Sequence, residues 1–175
     1  MCIRDSYYSL LDWHHPDYPA YGDRVHPMRA NPAYAGKAHN FPAYLDYMHG
    51  QVAELLTNYG KIDIIWFDFS YDDMMGETWR ATELVQTMRT LQPHILMDNR
   101  LGASGEGNQR FATSNPTVYA GDFACPEQII PPAGLVDEDG QSVPWEANMT
   151  LNNHWGYCAA DRDYKSPRQV VRALV

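Results

Sequence analysis

The 175-residue chain is long enough for one domain with a real hydrophobic core. Its composition, 45% hydrophobic and 20% charged, is that of a soluble globular protein, and its net charge of −9 argues against nucleic acid or an anionic membrane surface as a partner. Cys2, Cys125 and Cys158, odd in number and scattered, give neither a disulfide framework nor a paired-cysteine metal motif, and no stretch has the length of a membrane-spanning helix.

The opening MCIRDS lacks the apolar segment of a secretion signal and reads as an unplaced extension, residues 1–6. Residues 7–13 (YYSLLDW) predict a strand that runs into His14, His15 and Pro16. Residues 17–41 are rich in Pro, Gly, His and Tyr without a steady period, and predict a long loop, a candidate lid. Residues 42–59 predict the clearest helix. Tyr44, Tyr47, Met48, Val52, Leu55, Leu56 and Tyr59 recur at helical spacing, and Gly60 supplies a left-handed stop.

The next stretch, KIDIIWFDFS at residues 61–70, organises the rest. Ile62, Ile64, Ile65, Trp66 and Phe67 form a short, dense apolar run, the pattern of a strand buried on both faces. The run ends on Asp68. A carboxylate is costly to bury without partners, and the carboxyl ends of parallel strands are where catalytic groups collect. The alternative role for Asp68 is to cap the SYDD turn that follows.

Residues 77–91 predict a second helix, with Leu84, Val85, Met88 and Leu91 on one face and Pro93 as its end. Residues 94–99 (HILMDN) predict another strand, closing on Asp98, Asn99 and Arg100. Residues 101–116 predict a loop, and 117–123 a short strand ending at Asp122. A Pro/Gly-rich loop, 124–143, carries Glu127 and an acidic turn around Asp137 and Asp139; residues 145–151 (WEANMTL) predict one more strand. Ser166-Pro-Arg-Gln169 opens a last helix, with Ser as N-cap, Pro at the first helical position and Gln at the third.

Alternating strands and helices predict an α/β fold with a parallel sheet. Four or five strands fall short of a (β/α)8 barrel, which takes about 250 residues. The expectation is therefore a partial (β/α)8 TIM-like barrel truncated at both ends, with residues 7–175 as its central part. A small open doubly wound sheet is the alternative. No G-x-G-x-x-G or P-loop follows a strand, so no nucleotide cofactor is indicated.

Three groups of residues could do chemistry. The acids Asp68, Asp122, Glu127 and Glu146 could supply the carboxyl pair of a retaining glycosidase, about 5–5.5 Å apart, one ionised nucleophile and one proton donor. His14 and His15 could bond hydroxyls or bind metal, although neighbours on a strand point to opposite sides. Arg100 offers a planar fork, and Trp66, Trp145 and Trp155 offer flat faces for a sugar or ordinary packing.

The ordered set DWHHPDY, ELLTNYG, IDIIWFDF, MDNR and PWEANMTLNNHWGY, spread over about residues 7–175, resembles the catalytic barrel of the α-L-fucosidases of glycoside hydrolase family 29. That resemblance implies a retaining exo-glycosidase that releases terminal α-L-fucose in two displacement steps, without metal or other cofactor. It implies Asp68 as nucleophile, His14 and His15 on fucose hydroxyls, Trp66 lining the sugar pocket, Arg100 as the active-site arginine and Trp155 against the fucose methyl side. The acid/base position does not transfer: Glu127 comes first, then Asp122, then Glu146, which could instead hold the site together. The implied partner is a fucosylated glycan or fucoside, and full-length members are periplasmic, extracellular or lysosomal. The family's first two strands and its last ones have no counterpart, so a fragment inactive alone is expected. Two further readings stay open: a fucose-binding module without catalysis, and a metal-dependent barrel hydrolase using His14, His15, Asp68 and His94.

Overall fold

The computed structural model describes residues 3–102, 117–137 and 139–174. Three parallel strands, β1 (Asp5–Ser9), β2 (Ile64–Asp68) and β3 (Leu96–Met97), form a sheet in that order. Helices α1 (Phe41–Asn58) and α2 (Ala81–Leu91) link them in turn. β1 starts at Asp5, two residues before the predicted strand, so the expected extension at residues 1–6 is partly sheet. Trp13 and its neighbours lie beyond the strand instead. The N–H of Arg4 anchors the entry by donating to the Asp63 carboxylate at 3.0 Å.

The sheet's two faces differ. Ile65 and Phe67 of β2 are fully buried against Met48, Val52, Leu84 and Met88 of the helices. Ile64, Trp66 and Asp68 point the other way and are only half-buried. The expectation of a strand buried on both faces is thus corrected, because the second face is the wall of a cavity. Register brings Tyr7 beside Trp66, Ser9 beside Asp68, and Ile65 beside Met97. Burying each large apolar side chain of the helical face contributes about 1.5–3 kcal/mol before entropy is counted.

α1 begins where the Asn40 side chain accepts the Ala43 N–H, and Gly60, at φ +79°, ends it as predicted. Tyr44, Met48, Val52 and Leu56, spaced by four, form its buried ridge with Leu45. The predicted stripe was too wide: Tyr47 and Tyr59 are exposed, Tyr47 packing on His15 and Tyr59 bonding Glu54. Gln92 then ties three chain ends together. Its amide donates to the carbonyls of Leu56 and Gly60 at 2.8 and 3.0 Å, while its oxygen accepts the Ile62 N–H at 2.8 Å.

α2 is shorter than the predicted 77–91. Arg80 sits in the left-handed region at φ 50°, which splits off a one-turn 3-10 helix, Gly76–Trp79. The break turns Trp79 fully inward, where its indole N–H donates to the Met74 carbonyl at 2.9 Å.

The second half departs further from expectation. Residues 117–123 form no strand; Phe123 makes an isolated bridge to Asp98. Side chain and backbone share the pairing there: the Asp122 N–H donates to the Met97 carbonyl at 2.7 Å, while the Asp122 carboxylate accepts the Met97 N–H at 2.8 Å and pairs with Arg89. Gly121, at φ +85°, permits the approach, since a Cβ there would lie 2.4 Å from the Asp98 carbonyl oxygen. Within the predicted 124–143 loop, β4 (Leu135–Val136) and β5 (Ser142–Val143) form an antiparallel hairpin. The acidic turn closes it, with the Asp137 carboxylate accepting the N–H groups of Asp139 and Gln141 at 3.0 and 2.7 Å. Residues 145–151 make isolated bridges only, Trp145 to Ala124 and Asn148 to Glu127. α3 (Pro167–Leu174) opens as predicted, Ser166 and Gln169 bonding each other reciprocally. The predicted loop at 101–116 lies almost wholly outside the described residues.

Candidate active site

On the half-buried face of the sheet lies a cavity of about 520 Å³ whose walls include Tyr7, Trp66, Asp68, Arg100, Glu127 and Trp155. Asp68 stands at the carboxyl end of β2. Its carboxylate accepts the Tyr7 hydroxyl at 2.6 Å and the Phe69 N–H at 2.8 Å, and lies 3.6 Å from Arg100 Nη1. Phe69 adopts φ 73°, a left-handed conformation costing a non-glycine residue about 1–2 kcal/mol. That turn bends its N–H back onto Asp68 and puts its ring on the cavity wall. Burial, together with the bond to Asp68, pushes the Tyr7 hydroxyl above its ordinary range, so it remains a donor.

Arg100 joins the two carboxylates. Nη1 faces Asp68, Nη2 donates to Glu127 at 2.5 Å, and the guanidinium lies 4.7 Å above the Trp66 ring centre. The arginine side chain is 3% exposed, whereas those of Asp68 and Glu127 are 21% and 23% exposed, so both acids can meet a ligand that the arginine only steadies. Burial works against the guanidinium's charge; the contacts with Glu127 and Cys125 together outweigh it and hold the charge in place. Tyr7 stacks on Trp66 at 5.6 Å and completes the wall.

Beneath Arg100, Asp98 is fully buried. One carboxylate oxygen accepts the N–H groups of Phe67 and Arg100 at 3.2 and 3.4 Å; the other has no partner among the described residues. Burial pushes this group up to about 8 against the pull of those bonds. Asp98 is therefore neutral at neutral pH in the fold and ionised in the unfolded chain. Its contribution to stability is complete below an ordinary carboxyl value of 3.8, shrinks as pH rises, and is gone at about 8. Asp98→Asn is expected to gain stability over the parent between pH values near 5 and near 7.5, by on the order of 2 kcal/mol at the upper one. Thermal melts of both proteins at the two values measure it; an equal difference at both would mean Asp98 is already ionised.

The structure brings together five of the nine residues singled out from the sequence: Asp68, Glu127, Trp66, Arg100 and Trp155. The other four stand outside its lining. Asp122 faces a different depression, its two oxygens held by Arg89 at 2.7 and 2.6 Å beside β3. Glu146 accepts the Trp66 indole N–H and the Cys125 thiol, so it props a cavity wall from behind. His14 and His15, which follow the end of β1 at Ser9, line a separate groove. Among the described residues no group of His, Cys, Asp and Glu could hold a metal ion, and His94 faces the Ile62 carbonyl at 3.2 Å, so the four-residue metal set is not assembled. Sequence reasoning missed Tyr7, Phe69 and Asn148. Only Tyr7 carried a usable signal, being on the alternate positions of β1 that share a face with Trp66.

The family model described as Alpha-L-fucosidase matches residues 4–175. This chain belongs to the alpha-L-fucosidase family. Among solved structures it is similar to alpha-L-fucosidase isoenzyme 1 from Paenibacillus thiaminolyticus, at 64% identity and a TM-score of 0.86, covering 96% of this chain and 38% of that one. It is also similar to the unliganded alpha-L-fucosidase AlfC from Lactobacillus casei, at 26% identity and 0.63, covering 95% and 46%. A bacterial fucosidase with a dihydroxy-methylpyrrolidinyl triazole inhibitor matches at 26% and 0.64, covering 94% and 35%. The chain thus spans less than half the length of these fucosidases. No curated protein matches it.

Proposed function

We propose that residues 7–175 form the central part of an α-L-fucosidase barrel and supply both catalytic carboxyls for retaining hydrolysis of terminal α-L-fucosyl linkages in fucosylated glycans. The observation that carries this is Arg100 touching Asp68 with one nitrogen and Glu127 with the other at the wall of one cavity. The sheet order supports the barrel. β1, β2 and β3 lie side by side in chain order with α1 and α2 packed together on one face, an arc without the strand reversal of a doubly wound sheet.

On this reading the two acids divide the work. Asp68 attacks the anomeric carbon while Glu127 protonates the departing glycosidic oxygen, giving a fucosyl ester on Asp68. Glu127 then takes a proton from water, which attacks the same carbon and frees both fucose and Asp68. Oε1 of Glu127 is occupied by Arg100, so the proton travels on Oε2. Tyr7 holds Asp68 in place, and Trp66 and Trp155 give flat walls to the sugar. No cofactor enters any step.

Proton NMR of a fresh digest of 4-nitrophenyl α-L-fucoside tests the reading. The first-formed sugar is expected to be α-L-fucose, two inversions giving retention. β-L-fucose appearing first would overturn the double displacement, and fucose binding without turnover by the full-length protein would favour a non-catalytic binding module.

A further inference from the structure

We infer that Gln128 and Thr150 form a brace that aims Glu127 at the leaving oxygen, which makes Gln128 a positioning residue for the proton transfer. The inference rests on the function proposed above and adds to it how the acid is held.

Each of the two carboxyls is followed directly by a residue in the left-handed region. Phe69, after Asp68, has φ 73°, and Gln128, after Glu127, has φ 59°. Among the described residues only two other non-glycine positions, Asp72 and Arg80, share that conformation. A residue with a Cβ is disfavoured there and persists only where its surroundings hold it, which is common where a neighbour's direction matters to chemistry. Packing of the ring holds Phe69. Gln128 is exposed, so hydrogen bonds must do it.

Those bonds all run to residues 148–150. The Gln128 N–H donates to the Asn148 carbonyl at 2.8 Å. Its amide nitrogen donates to Thr150 Oγ1 at 3.1 Å, and its amide oxygen accepts the Thr150 N–H at 3.2 Å. The Thr150 hydroxyl proton is committed to the Asn152 carbonyl at 2.5 Å, so Oγ1 is left as the acceptor and the Gln128 amide has one orientation. Lys165 Nζ fastens the Thr150 carbonyl in turn, at 2.7 Å.

Glu127 needs such a brace because its own stretch is poorly tied. Residues 124–128 lie beside 144–150, bridged at Ala124 to Trp145 and at Glu127 to Asn148. Between those points Pro126 has no N–H to give, and the Cys125 N–H turns aside to Asn99 Oδ1 at 3.3 Å. Gln128 closes the stretch one residue after the acid. Arg100 grips Oε1 of Glu127 from the cavity, the brace fixes the backbone behind it, and Oε2 keeps one direction. Misplacing a catalytic group by about 1 Å can cost 10²-fold.

In the full-length enzyme, kcat/KM on 2′-fucosyllactose and on 4-nitrophenyl α-L-fucoside tests the inference. Gln128→Ala is expected to lose about tenfold on the first, whose leaving oxygen needs the proton, and less than about threefold on the second. The ratio is read within one protein, so a lower folded fraction cancels. Thr150→Val, which keeps the shape without the hydroxyl, should show the same contrast, and Thr150→Ser should restore the parent ratio. The double variant should be no worse than Gln128→Ala alone, because both changes open one brace. Gln128→Gly, free to adopt the left-handed turn but without the amide, should also lose the ratio. Equal losses on both substrates, additive losses in the double variant, or full recovery with glycine would overturn the brace while leaving Glu127 as the acid. If Glu127→Ala itself shows no contrast between the substrates, the acid assignment falls and the brace with it.

Discussion

In the full-length enzyme, Asp68→Gly is expected to lower fucoside hydrolysis by on the order of 10³-fold or more while leaving the melting curve nearly unchanged. The loss is large because this carboxylate forms a bond in the transition state, and nothing else in the cavity can replace it. The fold survives because its partners are the Tyr7 hydroxyl, the Phe69 N–H and the edge of Arg100, all at a cavity that water can enter. The left-handed Phe69 stays held by its ring packing. Azide gives the decisive readout. A small anion fits the space vacated by the carboxylate and attacks the same side of the sugar, so β-L-fucosyl azide should accumulate. Wild-type-like rates in the variant, or the α-azide, would remove Asp68 from the nucleophile's role.

How much of this could be read from the chain follows from what sequence encodes locally. The β1-α1-β2-α2 succession was legible because apolar period and end signals are local: the ridge from Tyr44 to Leu56, Gly60 at φ +79°, and the run from Ile64 to Phe67 closing on Asp68. The capping pair Ser166 and Gln169 was legible for the same reason. Beyond β3 the reading failed, because regular ladders there give way to side-chain bonds between distant residues. The Asp122 carboxylate supplies the acceptor for the Met97 N–H that a strand carbonyl would give, and nothing in GDF announces Arg89 as its counter-ion, 33 positions away. Tyr7 and Glu127 reach Asp68 only through strand register and through Arg100, both properties of pairing rather than of any window of sequence. The histidine pair shows the converse limit. A motif states which residues are adjacent, but the direction in which the chain leaves β1 decides which cavity they face.

That distinction between local and long-range signals also separates the two remaining acids, and Glu127→Ala against Glu146→Gln measures it. Glu127→Ala is expected to cost about 10²–10⁴-fold on fucosylated sugars, the scale of general acid–base assistance. The loss should shrink sharply on 4-nitrophenyl α-L-fucoside, whose leaving oxygen needs little protonation. Azide should now give the α-L-fucosyl product, because it attacks a fucosyl ester that Asp68 still forms. Glu146→Gln keeps the volume and can still accept from Trp66 and Cys125, so it is expected to raise KM a few-fold at similar kcat, through a loosened Trp66 wall. Burial and the Glu146 contact together push the Cys125 thiol up to about 12, so this support stays a neutral donor throughout the working range. If instead Glu146→Gln showed the leaving-group dependence and Glu127→Ala did not, the proton donor would be the acid behind Trp66, and the Arg100 bridge would be a purely structural clamp.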